Sequence, residues 1–242
     1  MKKFDAETTI KPSQELARCE EREYSNIEIT PEEFLSTLNS ENFLKALNIA
    51  GHETAKSGHE TGFTIELLED KTTYIPYVTK GGLDQMAGGE ELKTIDGEQD
   101  FKIKNLKKRK GVLLRIHFHP TEKEAIIPSP EDLMGITTKI NQPAFVGICQ
   151  IEGHSKKIEM LLIKSSGYII EDRDLLEYKE KTRLEFVSRQ SDIIELLQKE
   201  GFESELLEFE KQKQGYQLSG ASKKSFLNKF KQIKAVIYKL KE

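Results

Sequence analysis

The sequence predicts a mixed α/β (α+β) fold, and three observations carry that expectation. A capped amphipathic helical segment lies near the N-terminus, short β-branched and aromatic runs with period-two alternation follow it, and 242 residues with 36% hydrophobic and 32% charged side chains suffice for one sizeable core or two small ones. From the N-terminus onward, residues 1–23 are polar, lack periodicity and carry Pro12, as expected of a flexible or loosely docked arm. Asn26-Ile27-Glu28-Ile29 alternates like a short strand. Thr30-Pro31-Glu32-Glu33 combines a capping threonine, a proline at the first helical position and a glutamate three residues after the cap, so a helix is expected to start at Pro31. Phe34, Leu35 and Leu38, then Phe43, Leu44, Leu47 and Ala50, recur at the spacing of one buried helical face. A break is expected near Asn39-Ser40 and an end between Gly51 and Gly58.

Phe63 to Leu67 and Thr73 to Val78 then read as a hairpin about Glu69-Asp70-Lys71. Residues 80–100 hold five glycines (Gly81, Gly82, Gly88, Gly89 and Gly97) and little apolar periodicity, which suggests a long mobile insertion; a substrate-positioning loop and a plain connector both fit it. Val112 to His117 reads as a strand, Pro130 to Ile140 as a helix, and Ala144 to Ile151 and Lys157 to Lys164 as strands around the turn Glu152-Gly153-His154-Ser155. One domain over residues 24–171 accounts for these elements. Beyond it the composition changes, because 172–210 hold 12 acidic and 6 basic side chains whereas 211–242 hold nine lysines and one glutamate. Ser191 to Glu200 carries an apolar stripe followed by Gly201, and Phe226, Phe230, Ile233, Ile237 and Leu240 share a helical face. Residues 172–242 are therefore expected to form a charged, mainly helical extension. It could fold back as an antiparallel hairpin or serve self-association or a protein partner.

A net charge of -4 and a pI near 5.9 exclude a global field that would hold the protein to nucleic acid or an anionic membrane. The basic run Lys102 to Lys110 and the lysine-rich C-terminal segment lack interleaved aromatics, so solvated faces explain them better than nucleic-acid binding. No run of about 18 apolar residues is present, and acids stand where a signal peptide would be apolar. Cys19 and Cys149 lie far apart with no CxxC spacing, as expected in a reducing, cytoplasmic setting. Cys149, within Phe145-Val146-Gly147-Ile148-Cys149, reads as a small core residue.

The chemistry concentrates in His117-Phe118-His119-Pro120 at the end of an apolar strand, where period-two alternation points both imidazoles to one face. Asp132 follows thirteen residues after His119, within Ser129-Pro130-Glu131-Asp132, where Ser129 would cap a helix and Asp132 would sit in its first turn. Each part alone has a plainer reading, as ordinary strand histidines and a helix cap. Together they gather two imidazoles and a carboxylate at one sheet edge, a donor set suited to zinc with an open fourth position for water. Gly51-His52-Glu53-Thr54 and Gly58-His59-Glu60-Thr61 are similar but too short to define a repeat.

These residues resemble the JAMM (MPN-domain) metalloproteases, whose signature is an upstream glutamate, His-x-His-Pro and Ser-x-x-Asp, here Glu60, His117 to Pro120 and Ser129 to Asp132. Glu60-Thr61-Gly62-Phe63 also looks like the family's passage from its first long helix into a strand, and the resemblance covers roughly residues 24–171. Glu53 competes with Glu60 but lacks the following Gly-Phe strand. The resemblance implies a mixed sheet flanked by helices with cytidine-deaminase-like layering, and one Zn2+ held by His117, His119 and Asp132. It implies Glu60 as general acid/base and Ser129 as donor to the oxyanion. It implies hydrolysis of a peptide or isopeptide bond next to a ubiquitin-like or sulfur-carrier protein. A metal-free scaffold of the same fold is the competing reading. Three departures stand out: the loop between His119 and Asp132 is longer than usual; Phe118, where the family has a small or hydroxyl residue, would narrow or cover the site; and Glu66 stands where the family's first strand has a second glycine.

Overall fold

The computed structural model describes residues 22–68, 70–81, 90–96, 109–120, 126, 128, 132, 143–151, 157–164, 195, 197, 198, 202–213 and 215–240. Strand β1 (Arg22–Ile29) leads into helix α1 (Pro31–Leu38), which starts at the proline as its sequence predicts. Both halves of the capping box form: the Thr30 hydroxyl accepts from the Glu33 amide at 3.1 Å, and the Glu33 carboxylate accepts from the Thr30 amide at 2.8 Å. The expected break follows, with Asn39 closing α1 and Ser40 capping α2 (Glu41–Ser57) by accepting from the Phe43 amide. Helix α2 stops at Gly58, whose φ of 67° is the left-handed conformation that a side chain disfavours.

The remaining strands are β2 (Thr61–Leu68), β3 (Thr73–Tyr74), β4 (Tyr77–Lys80), β5 (Glu90–Thr94), β6 (Arg109–Phe118), β7 (Phe145–Ile151), β8 (Lys157–Lys164), β9 (Ser204–Gln212), β10 (Gly215–Leu218) and β11 (Ile233–Leu240), with helix α3 (Gly220–Lys229) between the last two. Nine of them form one mixed sheet in the order β10-β9-β8-β7-β6-β2-β4-β5, with β3 also pairing with β2. Within it β6 and β7 run parallel and the other pairs antiparallel. Strands β1 and β11 make a separate antiparallel ribbon that lies against β6.

Helices α1, α2 and α3 pack on one face of the sheet, where an aromatic cluster joins distant parts of the sequence. Phe34 of α1 sits 4.7 Å from Phe145 of β7 and 5.3 Å from Phe226 of α3, while Phe43 of α2 contacts Phe63 of β2 and Phe209 of β9. Each of these rings is buried, so the cluster contributes area burial and favourable ring geometry together. Cys149 is fully buried in the same core, and burial pushes its thiol well above the ordinary range, in keeping with a packing role.

Several expectations need correction. Among the described residues, 172–242 are not mainly helical. The acidic stretch contains β9, whose Leu207 and Phe209 alternate with Glu208 and Glu210 and enter the core, and β9 extends the main sheet along β8. The helical face expected from Phe226 to Leu240 is interrupted: α3 ends at Lys229, Phe230 is extended (φ -95°, ψ 111°), and Ile233 to Leu240 form β11. Positions 233 and 237 share a face in either conformation, and β-branched Ile233, Val236 and Ile237 with Tyr238 favour the strand once β1 supplies backbone partners. The segment 80–100 contains an edge strand, β5, and Asp96 is fastened by accepting from the Ile75 amide at 2.8 Å. The arm expected over 1–23 ends inside β1, and residues 1–21 lie outside the described residues, as do the helix expected at 130–140 apart from Asp132, the basic run at 102–108, and most of the stripe at 191–200.

Two substitutions gauge these contributions. Phe34→Ala is expected to destabilise the fold by about 3–5 kcal/mol, and Thr30→Ala by about 1 kcal/mol through the lost cap. Denaturant midpoints with unchanged m-values would show both, and a shift for Phe34→Ala no larger than that for Thr30→Ala would contradict the packing described.

Candidate metal centre

The site forms where strand ends of opposite direction meet. Strand β6 delivers His117 and His119 at its carboxyl end, where the amide of His119 still donates to the Cys149 carbonyl of β7 at 3.0 Å. The antiparallel neighbour β2 begins at the same edge, with Thr61 opposite Phe118 and Gly62 opposite His117. Glu60 is therefore one register step further, opposite His119, and its carbonyl accepts from the Gly81 amide at 2.9 Å. Behind it, the buried Thr61 hydroxyl donates to the Ala50 carbonyl at 2.7 Å, which leaves Thr54 as donor in the 2.6 Å contact between the two threonines. These bonds tie α2 to the start of β2 and fix where the backbone turns into Glu60.

Asp132 lies in the connection between β6 and β7. Its carboxylate oxygens stand 3.1 Å from His117 Nε2 and 3.7 Å from His119 Nε2, and the two Nε2 atoms are 3.0 Å apart. One donor atom from each of the three residues falls within 4.8 Å of the others, so the triad could hold a metal ion. The side chains are 8%, 17% and 15% exposed for His117, His119 and Asp132, placing the cluster just below the surface. A single Nε2–H on His117 cannot serve both Asp132 and His119, so the three groups do not satisfy one another, whereas a cation among them would take a lone pair from each. The donor set fits a divalent metal of borderline softness.

Electrostatics divide the two histidines. Burial and the charge of His117 hold His119 down at about 4, against the pull of Asp132. Burial also opposes a charge on His117, but the hydrogen bond and charge of Asp132, with the charge of Glu60, raise it above its ordinary 6.5. Glu60 is thus close enough for its carboxylate to act on the cluster. Arg115, two residues upstream on β6, opposes the charge on His117, and burial lowers its own guanidinium without discharging it.

His117, His119, Asp132 and Glu60 are therefore brought together, while Ser129 lies outside the described residues. Glu53 is drawn away to the helical face, where it pairs with Lys80 at 3.1 Å. Phe118 does not cover the site as expected. It points to the opposite face, is fully buried, and packs so close to Gly51 of α2 that a Cβ there would stand 3.1 Å from its ring. His52 is exposed, His59 is half-buried beside Glu60, and His154 lies outside the described residues. Neither Thr61 nor Arg115 stands out in the sequence, although Arg115 interrupts an apolar run two positions before His117. No protein-family model matches this sequence, and no curated protein matches it.

Metal binding must displace the proton that His117 carries, whereas His119, at about 4, is already neutral near pH 6. Zinc or cobalt binding at pH 6 is expected to release about one proton per ion, as measured by calorimetry in buffers of different ionisation enthalpy. As pH falls below the raised value of His117, affinity declines; release of two protons would contradict the assignment.

Proposed function

We propose that the protein is a zinc-dependent peptidase or isopeptidase of the JAMM type. The observation that supports this most is the convergence of His117, His119 and Asp132 within 4.8 Å, with Glu60 at the adjoining strand end. Two imidazole nitrogens and a carboxylate oxygen form a catalytic zinc ligand set, and the residue order Glu, His-x-His-Pro, Asp is that of the family signature. The mixed sheet, with α2 leading directly into β2, supports the cytidine-deaminase-like layering that the same reading implies. A reducing, cytoplasmic setting accords with the buried free thiol of Cys149.

When bound, zinc would polarise the scissile carbonyl and make water nucleophilic near neutral pH. The protein's own residues do the rest. His117, His119 and Asp132 would hold the ion. The Glu60 carboxylate takes a proton from the attacking water as its oxygen bonds to the carbonyl carbon, then gives that proton to the leaving nitrogen as the carbon–nitrogen bond breaks. Ser129 is assigned the donor to the oxyanion that develops in between. The substrate class that follows from the resemblance is a conjugate or fusion of a ubiquitin-like or sulfur-carrier protein, cleaved at its extended C-terminal tail.

The test separates metal from chemistry. Purified protein is expected to carry about one zinc per molecule, lost in the His117→Ala, His119→Ala double variant. Glu60→Gln is expected to keep the zinc while peptidase activity on ubiquitin-like fusions falls by about 100-fold or more. Undiminished turnover in Glu60→Gln would remove Glu60 from its role. A protein that neither carries nor takes up zinc would favour the scaffold reading.

A further inference from the structure

The face that carries the metal donors holds another charge, Arg115, which neither the fold nor the reaction above uses. Alternation along β6 puts it on the side of His117, about 7 Å away along the strand. Its register neighbours are Thr64 on β2 and Val146 on β7, neither of them charged. Arg115 is half-buried, and among the described residues no hydrogen-bond or ion-pair partner receives its guanidinium. Two costs follow. A partly desolvated cation without an acceptor loses hydration with no return, and a positive charge beside a cation site opposes the ion that the site would hold. An anion placed over Arg115 removes both costs. The guanidinium fork matches a planar carboxylate in bidentate fashion, which an ammonium at this position could not do.

The surrounding face suits a peptide. Tyr77 of β4 is exposed and lies one step beyond the Val78–Phe63 pair, opposite Thr64 and in the same row as Arg115, so it offers an aromatic surface to an extended peptide. A separation of about 7 Å equals two residues of extended backbone. We propose that Arg115 is a specificity-determining residue that binds a substrate carboxylate within two residues of the scissile bond, so that the preferred substrate is an acidic peptide segment. The carboxylate comes either from the C-terminus of a peptide or from an Asp or Glu side chain. This inference rests on the peptidase reading for the meaning of the site, but its test does not depend on turnover.

Zinc-loaded Glu60→Gln protein is titrated calorimetrically with three short Gly/Ala peptides. One carries a central Glu and an amidated C-terminus, one carries Gln and a free C-terminal carboxylate, and one carries Gln and an amidated C-terminus. At least one carboxylate peptide is expected to bind about tenfold to a hundredfold more tightly than the neutral one, and which of them does so identifies the source. Adding Arg115→Met should abolish the preference, and Arg115→Lys should retain part of it; retained zinc and an unchanged thermal midpoint show that the fold survives. Should Arg115→Met not fold, the same comparison is made with Arg115→Gln. Equal or undetectable binding of all three peptides, or a preference that survives loss of the guanidinium, overturns the proposal. Hydrolysis by the unsubstituted protein is scored separately: a carboxylate preference without turnover sinks the peptidase reading and leaves Arg115 as the anion-binding group.

Discussion

The parallel pairing of β6 with β7 is the constraint on which the candidate site depends. Adjacent strands running the same way cannot be joined by a hairpin, so the backbone leaving β6 at His119-Pro120 must cross over before it re-enters the sheet at Phe145. The crossing carries Asp132 back to the end of the strand it has just left. On the other flank β2 runs antiparallel to β6, so its first residues lie beside the last of β6. One parallel and one antiparallel neighbour thus gather a strand end, a strand start and a crossover at a single edge. Ligands of mixed and parallel sheets favour the carboxyl ends of strands for the same geometric reason.

The two faces of the sheet have separate tasks, and the alternation of β6 shows it. Leu114, Ile116 and Phe118 enter the core beneath the helices, whereas Arg115, His117 and His119 face the other way. Close packing on the helical side, down to the contact between Gly51 and the Phe118 ring, holds the backbone of β6 in place. Histidines on the opposite face inherit that rigidity without taking part in it, as a site needs when its donors must stay within fractions of an ångström.

How far the sequence discloses all this depends on whether its local signals are unambiguous. The capping box at Thr30, the break at Asn39-Ser40 and the stop at Gly58 are legible because each has a single physical interpretation. The donors are legible because alternation and motif agree on His117 and His119. The run from Phe226 to Leu240 misleads because spacings of three and four, taken at positions 233 and 237, also satisfy a strand. What decides between them is the backbone pairing with β1, some two hundred residues away in sequence. Strand β9 is hidden in the same way, its alternation obscured by a high density of glutamate. Arg115 escapes notice because a charged residue within a strand ordinarily reads as solvent-facing, and only its partial burial without a hydrogen bond or ion pair among the described residues makes it informative.

A purely structural role at this edge leaves one residue over. A hydrogen bond from His117 to Asp132 would by itself fasten the crossover to the sheet, and many proteins use such a pair for that alone. It does not account for His119. The second imidazole brings its Nε2 to 3.0 Å from that of His117, where it competes for the same proton, and burial with that neighbour's charge holds it at about 4. A side chain kept neutral, partly buried and aimed at an N–H already engaged by Asp132 costs stability in a purely structural site. The same features leave it ready to donate its lone pair to a cation. His119, rather than the His117–Asp132 pair, therefore separates a structural staple from a candidate metal centre.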